Sequence, residues 1–226
     1  MNNPKHKHSN KQDRQYVEQW KDFSSYVSKY RYNSYWHQLD ETLKSQPKTV
    51  LEIGVGSSVT SSYLKHLGID VVTLDIEHEL NPTICGSVSD LPFADNSIDT
   101  VVCCQVLEHL PFELFKKCLS ELHRVCKNTL VLSLPDKTPG ISIILRMPNF
   151  LFKDFSFYIP WAIREPIKEV KEHHWEIGRR GYPAKRIKEC IGQLPFNLET
   201  SYRVPEYPYH HFFIAKTKNS ALDNNP

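Results

Sequence analysis

From Thr49 to Leu134 short apolar runs alternate with longer amphipathic segments, and this alternation constrains the chain more than any other feature of it. Runs of about three to seven residues are strand length, and strands buried on both faces read as continuous apolar stretches. Val50–Ile53, Val71–Leu74, Thr83–Cys85, Ile98–Cys104 and Leu130–Leu134 are therefore expected as strands. The segments between them, Ser57–Leu67 and a helix opening at Pro111 that buries Phe112, Phe115, Leu119 and Leu122, are expected as crossover helices. Such units build a doubly wound α/β fold with a mostly parallel sheet.

Past Pro135 the pattern breaks. Ile141–Ile167 mixes Pro148, Pro160 and Pro166 with Ile143, Ile144, Leu145, Phe150, Leu151, Phe152, Phe155, Phe157, Tyr158 and Trp161 and reads as an insertion. A helix from Pro183 then sets Ala184, Ile187, Ile191 and Leu194 on one face. Phe196–Val204 and His210–Lys216 follow as closing strands, antiparallel because the link between them is too short for a crossover helix. They bring the expected sheet to seven strands. Before the core, Tyr16, Val17, Trp20, Phe23, Tyr26, Val27 and Tyr30 recur at helical spacing, with a second helix through Leu39 and Leu43.

The expected organisation is one domain over 13–218 between polar, disordered tails at 1–12 and 219–226. Within it, 13–45 form N-terminal helices, 48–135 the ligand-binding core, 136–181 a lid or acceptor-binding insertion, and 182–218 the closing helix and strands. The chain has 226 residues, 40% of them hydrophobic, enough for one substantial core. With 28 basic against 26 acidic residues, no electrostatic footprint for nucleic acid is present. The six cysteines form no CxxC pair, and Cys103 and Cys104 lie inside an apolar run, so a reduced, cytoplasmic protein is expected. No apolar segment suited to a secretion signal follows Met1–Asn10, and none is long enough to cross a bilayer.

Chemistry concentrates at the first strand-to-helix junction, Glu52-Ile53-Gly54-Val55-Gly56-Ser57-Ser58. Glycines there let the backbone pass close to a ligand at the helix N-terminus. Asp75, ending the second strand, stands where such folds place an acid that accepts hydrogen bonds from ribose hydroxyls. Two features oppose a dinucleotide. Val59 occupies the position of the third glycine of a dehydrogenase fingerprint, and Glu52 is a poor neighbour for a pyrophosphate. A carboxylate there suits a ligand carrying an ammonium group, as S-adenosylmethionine does.

Four stretches in order, Val50–Gly56, Asp75, Leu91–Asp99 and Val106–Leu110, give the chain a resemblance over Thr49–Pro135 to the class I S-adenosylmethionine-dependent methyltransferase superfamily, in particular its type 11-like domains. The resemblance implies a Rossmann-like seven-stranded fold, S-adenosyl-L-methionine as cofactor and methyl transfer as the activity. It also implies that Glu52, Gly54 and Gly56 surround the methionine part, that Asp75 holds the ribose, that Ser87 and Val88 meet the adenine, and that Gln105 lies near the sulfonium. The chain departs from the usual pattern at Ser58, commonly glycine, and at Ser87, commonly an acid.

For the acceptor, His109 is a candidate general base with Gln105 beside it, and His173 and His174 are candidates for lining the pocket. No metal is expected, because adjacent side chains such as His173 and His174 diverge. Asp99 is expected to fix loop architecture, and His210 and His211 to be ordinary strand residues on opposite faces. The acceptor is expected to be a small molecule or lipid-like, with 141–167 as a lid; a dimer contact and a peripheral membrane contact are the alternatives for that segment. Against methyl transfer stand a catalytically degenerate interaction module and, less favoured, a nicotinamide-dependent oxidoreductase.

Overall fold

The computed structural model describes residues 28–140, 146–147, 151–152 and 173–218. Helix α1 (Lys29–Lys44) comes first, its N-terminus capped by the Ser28 hydroxyl, which accepts the Arg31 N–H at 3.3 Å. The core then runs β1 (Thr49–Ile53), α2 (Val59–His66), β2 (Asp70–Asp75), β3 (Ile84–Cys85), β4 (Ile98–Cys104), α3 (Phe115–Val125) and β5 (Cys126–Pro135). A two-stranded ribbon, β6 (Arg146–Met147) and β7 (Leu151–Phe152), precedes α4 (Ala184–Gly192), β8 (Phe196–Val204) and β9 (Tyr207–Thr217).

Seven strands make one sheet in the order β3-β2-β1-β4-β5-β9-β8. The first five are parallel, and β9 runs antiparallel to both β5 and β8, as the short β8–β9 link requires. The chain winds outward from β1 through β2 to β3, then returns to β4 on the other side of β1. The carboxyl ends of β1 and β4 therefore flank a topological switch point, the place where open α/β sheets bind ligands.

Period-two alternation along the strands divides the core between the two sheet faces. Leu51, Ile53, Val101, Cys103, Leu130 and Leu132 pack with Phe115, Leu119 and Leu122 of α3 and Ile187 and Ile191 of α4. Val50, Val102 and Val131 on the other face pack with Leu64 of α2 and with Leu39 and Leu43 of α1. The helix expected from Pro111 is divided: Phe112–Leu114 form one tight turn, and α3 proper begins at Phe115.

The N-terminal helices need correction. Asp13–Val27 lies outside the described residues, and Tyr30, grouped with that first helix, is instead in α1 together with Leu39 and Leu43. Tyr30, Tyr32 and Trp36 are exposed, whereas Ser34, Gln38, Glu41 and Thr42 are buried. Gln38 and Glu41 of this stripe have polar partners, whereas the Ser34 hydroxyl has none. Gln38 Oε1 accepts from Thr60 Oγ1 at 2.8 Å, and Glu41 accepts from Tyr202 OH at 3.0 Å.

Asp99 sits at the opposite end of the sheet from the switch point. Its carboxylate accepts the Lys48 and Thr49 N–H groups at 3.0 and 3.1 Å, which is the architectural role expected. Arg124 closes the Leu91–Asp95 turn by donating to the Leu91 and Phe93 carbonyls at 2.8 and 2.7 Å and to Asp95 and Glu121. The Arg124 hydrogen bond holds the Glu121 carboxyl down at about 2. Arg124→Ala frees two carbonyls and is expected to cost about 1–2 kcal/mol. At about 2–4 °C per kcal/mol in a domain of this size, that lowers Tm by a few degrees in calorimetry. An unchanged Tm would show that the turn holds without the arginine.

Candidate active site

At the carboxyl ends of β1 and β4 lies a cavity of about 360 Å³. Glu52, Gly54 and Gly56 from the first junction, Asp75 from β2, Ser87 and Val88 after β3, and Gln105 and His109 after β4 all line it. The residues expected to surround the cofactor thus converge on one space, although they span more than fifty positions of sequence.

Local backbone conformation explains the junction. Gly54 has φ +82°, and a Cβ there would overlap the Val106 side chain, so glycine meets both a conformational and a spatial demand. Ser58 at φ +59° occupies the left-handed region where the family pattern commonly has glycine, and α2 begins directly after it. Asp75 is held at both oxygens: Oδ2 accepts the Val55 N–H at 2.8 Å and Oδ1 the Glu77 N–H at 2.9 Å. Each oxygen retains a lone pair for a ligand hydroxyl. Gln105, at φ +57°, is pinned by its amide N–H to the Ser133 carbonyl at 2.9 Å and by Nε2 to Ser133 Oγ at 3.2 Å.

Glu52 is the most informative side chain of the junction. It is 5% exposed, and its Oε2 has no hydrogen-bond partner. Burial pushes its pKa up to about 7, against the lowering influence of Ser61 and Lys65. A buried, half-satisfied carboxyl bordering a cavity calls for a cationic or donor-bearing ligand. The ammonium of S-adenosylmethionine meets that demand, so the residues present fit this cofactor.

Among the cavity residues that escaped sequence reasoning are Arg31, Tyr35 and Gln38 of α1. Ser57 donates to Tyr35 OH at 2.9 Å, which ties α1 to the glycine loop. The polar i, i+4, i+7 stripe of Ser34, Gln38 and Glu41 was the available signal that α1 turns a polar face inward. His210 was also underestimated. It lies on the opposite face of β9 from His211, as expected, but it lines the cavity and neither ring nitrogen has a partner. Burial pushes its pKa down to about 3, so the ring is neutral.

The histidines after the insertion separate. His174 is exposed and reaches the site only through its backbone, donating to the Glu108 carbonyl at 2.8 Å, so its side chain is not a pocket wall. His173 is partly buried, and its ring meets that of His109 edge-on at 4.8 Å between centroids. Trp175 Nε1 donates to the Leu110 carbonyl at 3.0 Å and fixes this segment against the loop after β4. Of the insertion itself, the ribbon β6–β7 is described, and the expected lid otherwise lies outside the described residues.

Comparison with known proteins agrees with this geometry. Residues 51–132 match the family described as a methyltransferase domain. An uncharacterized protein of Methanocaldococcus jannaschii is 34% identical over 85 residues, a stretch covering 36% of this chain and 34% of that protein's length. Among solved structures, the N-methyltransferase NodS of Bradyrhizobium japonicum in complex with S-adenosylhomocysteine superposes with a TM-score of 0.61 at 10% identity, covering 92% of this chain and 99% of that one. The 1,6-didemethyltoxoflavin-N1-methyltransferase of Burkholderia thailandensis, with its substrate and S-adenosylhomocysteine bound, gives 0.53 at 14% identity, covering 95% and 93%. Residues 51–132 are thus similar to a methyltransferase domain, the chain shares the Rossmann-like fold of the methyltransferases it superposes on, and S-adenosylmethionine is the cofactor that this similarity implies. Among the described residues, no helix is long and apolar enough to cross a membrane.

Proposed function

We propose that the protein transfers the methyl group of S-adenosylmethionine to a small-molecule or lipid-like acceptor in the cavity at the switch point. The observation that carries this reading is the buried Glu52 carboxyl with its unpartnered Oε2, set beside Gly54 and across from Asp75 in one cavity. Glu52 binds the ammonium of the methionine part, Asp75 accepts from the ribose hydroxyls, and Ser87 and Val88 border the adenine. When bound, the cofactor supplies an electrophilic methyl group on a cationic sulfur.

The remaining work falls to this chain's own residues. Gln105, immobilised by Ser133, is a rigid wall beside the reacting centre. His109 takes the proton of an acceptor whose nucleophile still carries one; an acceptor already deprotonated needs no base. Arg31, Tyr35 and Gln38 cover the cavity from α1 and exclude water from an in-line displacement, where alignment and desolvation supply most of the available rate. The Burkholderia protein, on the same fold, holds both a small acceptor and the demethylated cofactor, which supports room for both here.

Calorimetric titration with S-adenosylmethionine, S-adenosylhomocysteine and a nicotinamide dinucleotide tests the reading. The first two are expected to bind at micromolar concentration and the third not to bind. Asp75→Ala removes the ribose acceptor and the Val55 N–H partner, and is expected to weaken binding about 10–100-fold. Absence of binding to the intact chain would overturn the proposal in favour of an interaction module.

A further inference from the structure

We infer that Glu108, His109 and His173 form a binding site for a divalent transition-metal ion of the zinc class on the β4 side of the cavity. One ligand atom from each residue lies within 4.8 Å of the other two. A zinc ion with nitrogen and oxygen ligands at about 2.1 Å holds them about 3.4 Å apart, so small side-chain rotations close the set. Two histidines and one carboxylate make an open set of the kind that leaves a fourth position for water or substrate.

Two independent features separate this cluster from an accidental meeting of polar groups. Glu108 is 0% exposed, yet neither of its carboxyl oxygens has a hydrogen-bond partner. A buried carboxylate left in that condition is costly unless a cation or donor completes it. His173, for its part, is already oriented as a ligand. Its Nδ1 meets Glu176 Oε1 at 3.0 Å, which leaves Nε2 as the coordinating atom, and carboxylate support behind a coordinating imidazole is the usual arrangement at metal sites. Glu176 is itself fixed by Tyr209 OH at 2.6 Å and Arg179 Nε at 2.9 Å.

The backbone supports the same conclusion. His174 N–H on the Glu108 carbonyl and Trp175 Nε1 on the Leu110 carbonyl hold the His173 segment against the Leu107–His109 turn, although the two are about 65 positions apart in sequence. Because His109 lines the cavity, the open position of the ion borders the space assigned to the acceptor; with the ion bound His109 is a ligand, and its role as a base belongs to the metal-free chain. There it favours acceptors with an oxygen or nitrogen donor adjacent to the methylated atom. That use of the ion rests on the methyl-transfer reading; the site itself does not.

The test is metal content of the full chain after chelator treatment, incubation with zinc and desalting, read beside the visible spectrum of the cobalt-substituted protein. One equivalent per chain and a tetrahedral cobalt spectrum are expected. Both should be lost in Glu108→Gln and in His173→Ala, while Glu176→Gln weakens binding about 10–100-fold. His6→Ala/His8→Ala, which removes the histidines near the N-terminus, should leave both unchanged. Thermal unfolding of the metal-free variants verifies their folding; if Glu108→Gln does not fold, the partly exposed His173 decides. No zinc uptake, or uptake that survives His173→Ala, overturns the site. S-adenosylmethionine titrated into the metal-free chain reports separately on the methyltransferase reading.

Discussion

Asp136→Ala is expected to destabilise the protein by about 3–5 kcal/mol, the usual result of removing one partner from a buried ion pair. Asp136 is 3% exposed and stands just past β5, where the regular core ends. Its Oδ2 meets His211 Nδ1 at 2.8 Å and Arg203 Nε at 3.6 Å, and its Oδ1 accepts the Thr138 N–H at 2.7 Å. Without the carboxylate, a nearly buried guanidinium loses this ion-pair partner while its hydrogen bonds to the Pro208, Thr138 and Asp136 carbonyls remain, and His211 loses its Nδ1 partner while its hydrogen bond to Ser201 remains.

The consequence reaches the site because the same residue anchors both roots of the insertion. Asp136 N–H donates to the Tyr209 carbonyl at 2.7 Å and Lys137 N–H to the Ile177 carbonyl at 2.8 Å. Gly178 packs so closely on Lys137 and Thr138 that a Cβ would collide with their backbone. Urea unfolding checks the magnitude, and hydrogen exchange should show loss of protection at 136–138 and 173–178. Burial alone would raise the Asp136 pKa, but His211, Arg203 and Thr138 together leave it below its ordinary value. The stability it contributes is therefore present above about pH 4 and lost as pH falls through the folded value, so the gap between wild type and variant narrows in acid. A difference below about 1 kcal/mol at neutral pH would mean that the cluster relaxes around the loss.

Much of this architecture is legible in the sequence wherever a local pattern has a local cause. Ile98–Cys104 and Phe196–Val204 form strands with the expected bounds, because continuous apolar runs and antiparallel closure leave few alternatives. The residues expected to hold the cofactor converge because glycines and strand-end acids act through the backbone, and backbone position follows from topology. What was illegible depends on tertiary partners. Aromatic spacing placed Tyr30 on a buried face, yet in α1 the buried face is the polar one, its Gln38 and Glu41 met by Thr60 and Tyr202 from distant elements. Nothing local distinguishes His210, bordering the cavity, from His211, paired with Asp136. Likewise the nearness of His173 to Glu108 arises from a bridge across the insertion that no spacing encodes.

Lowering the pH from 8 to 6 is expected to weaken S-adenosylmethionine binding about tenfold, with the change centred near pH 7. Glu52 is the cause. In the cofactor-free protein burial holds its pKa at about 7, so at pH 6 most molecules carry a neutral carboxyl. A ligand ammonium beside it favours the ionised form, and binding must then release the proton. At pH 7 about half a proton leaves per ligand bound, measurable by calorimetry in buffers of different ionisation enthalpy. Glu52→Gln is expected to bind about 10–100-fold more weakly above pH 7 and to show no pH dependence between 6 and 8. Cofactor-free stability should move the other way. A folded pKa raised above the unfolded one gives a contribution fully present below about pH 4.3 and lost as pH rises through 7, a difference of up to about 4 kcal/mol. Glu52→Gln without cofactor should therefore be more stable than wild type at pH 8, since it keeps a neutral side chain where wild type must bury a charge. Affinity that stays flat with pH in the wild type would remove Glu52 from the ammonium site, whereas a flat profile in the variant alone ties this buried, half-satisfied carboxyl to the binding it is placed to perform.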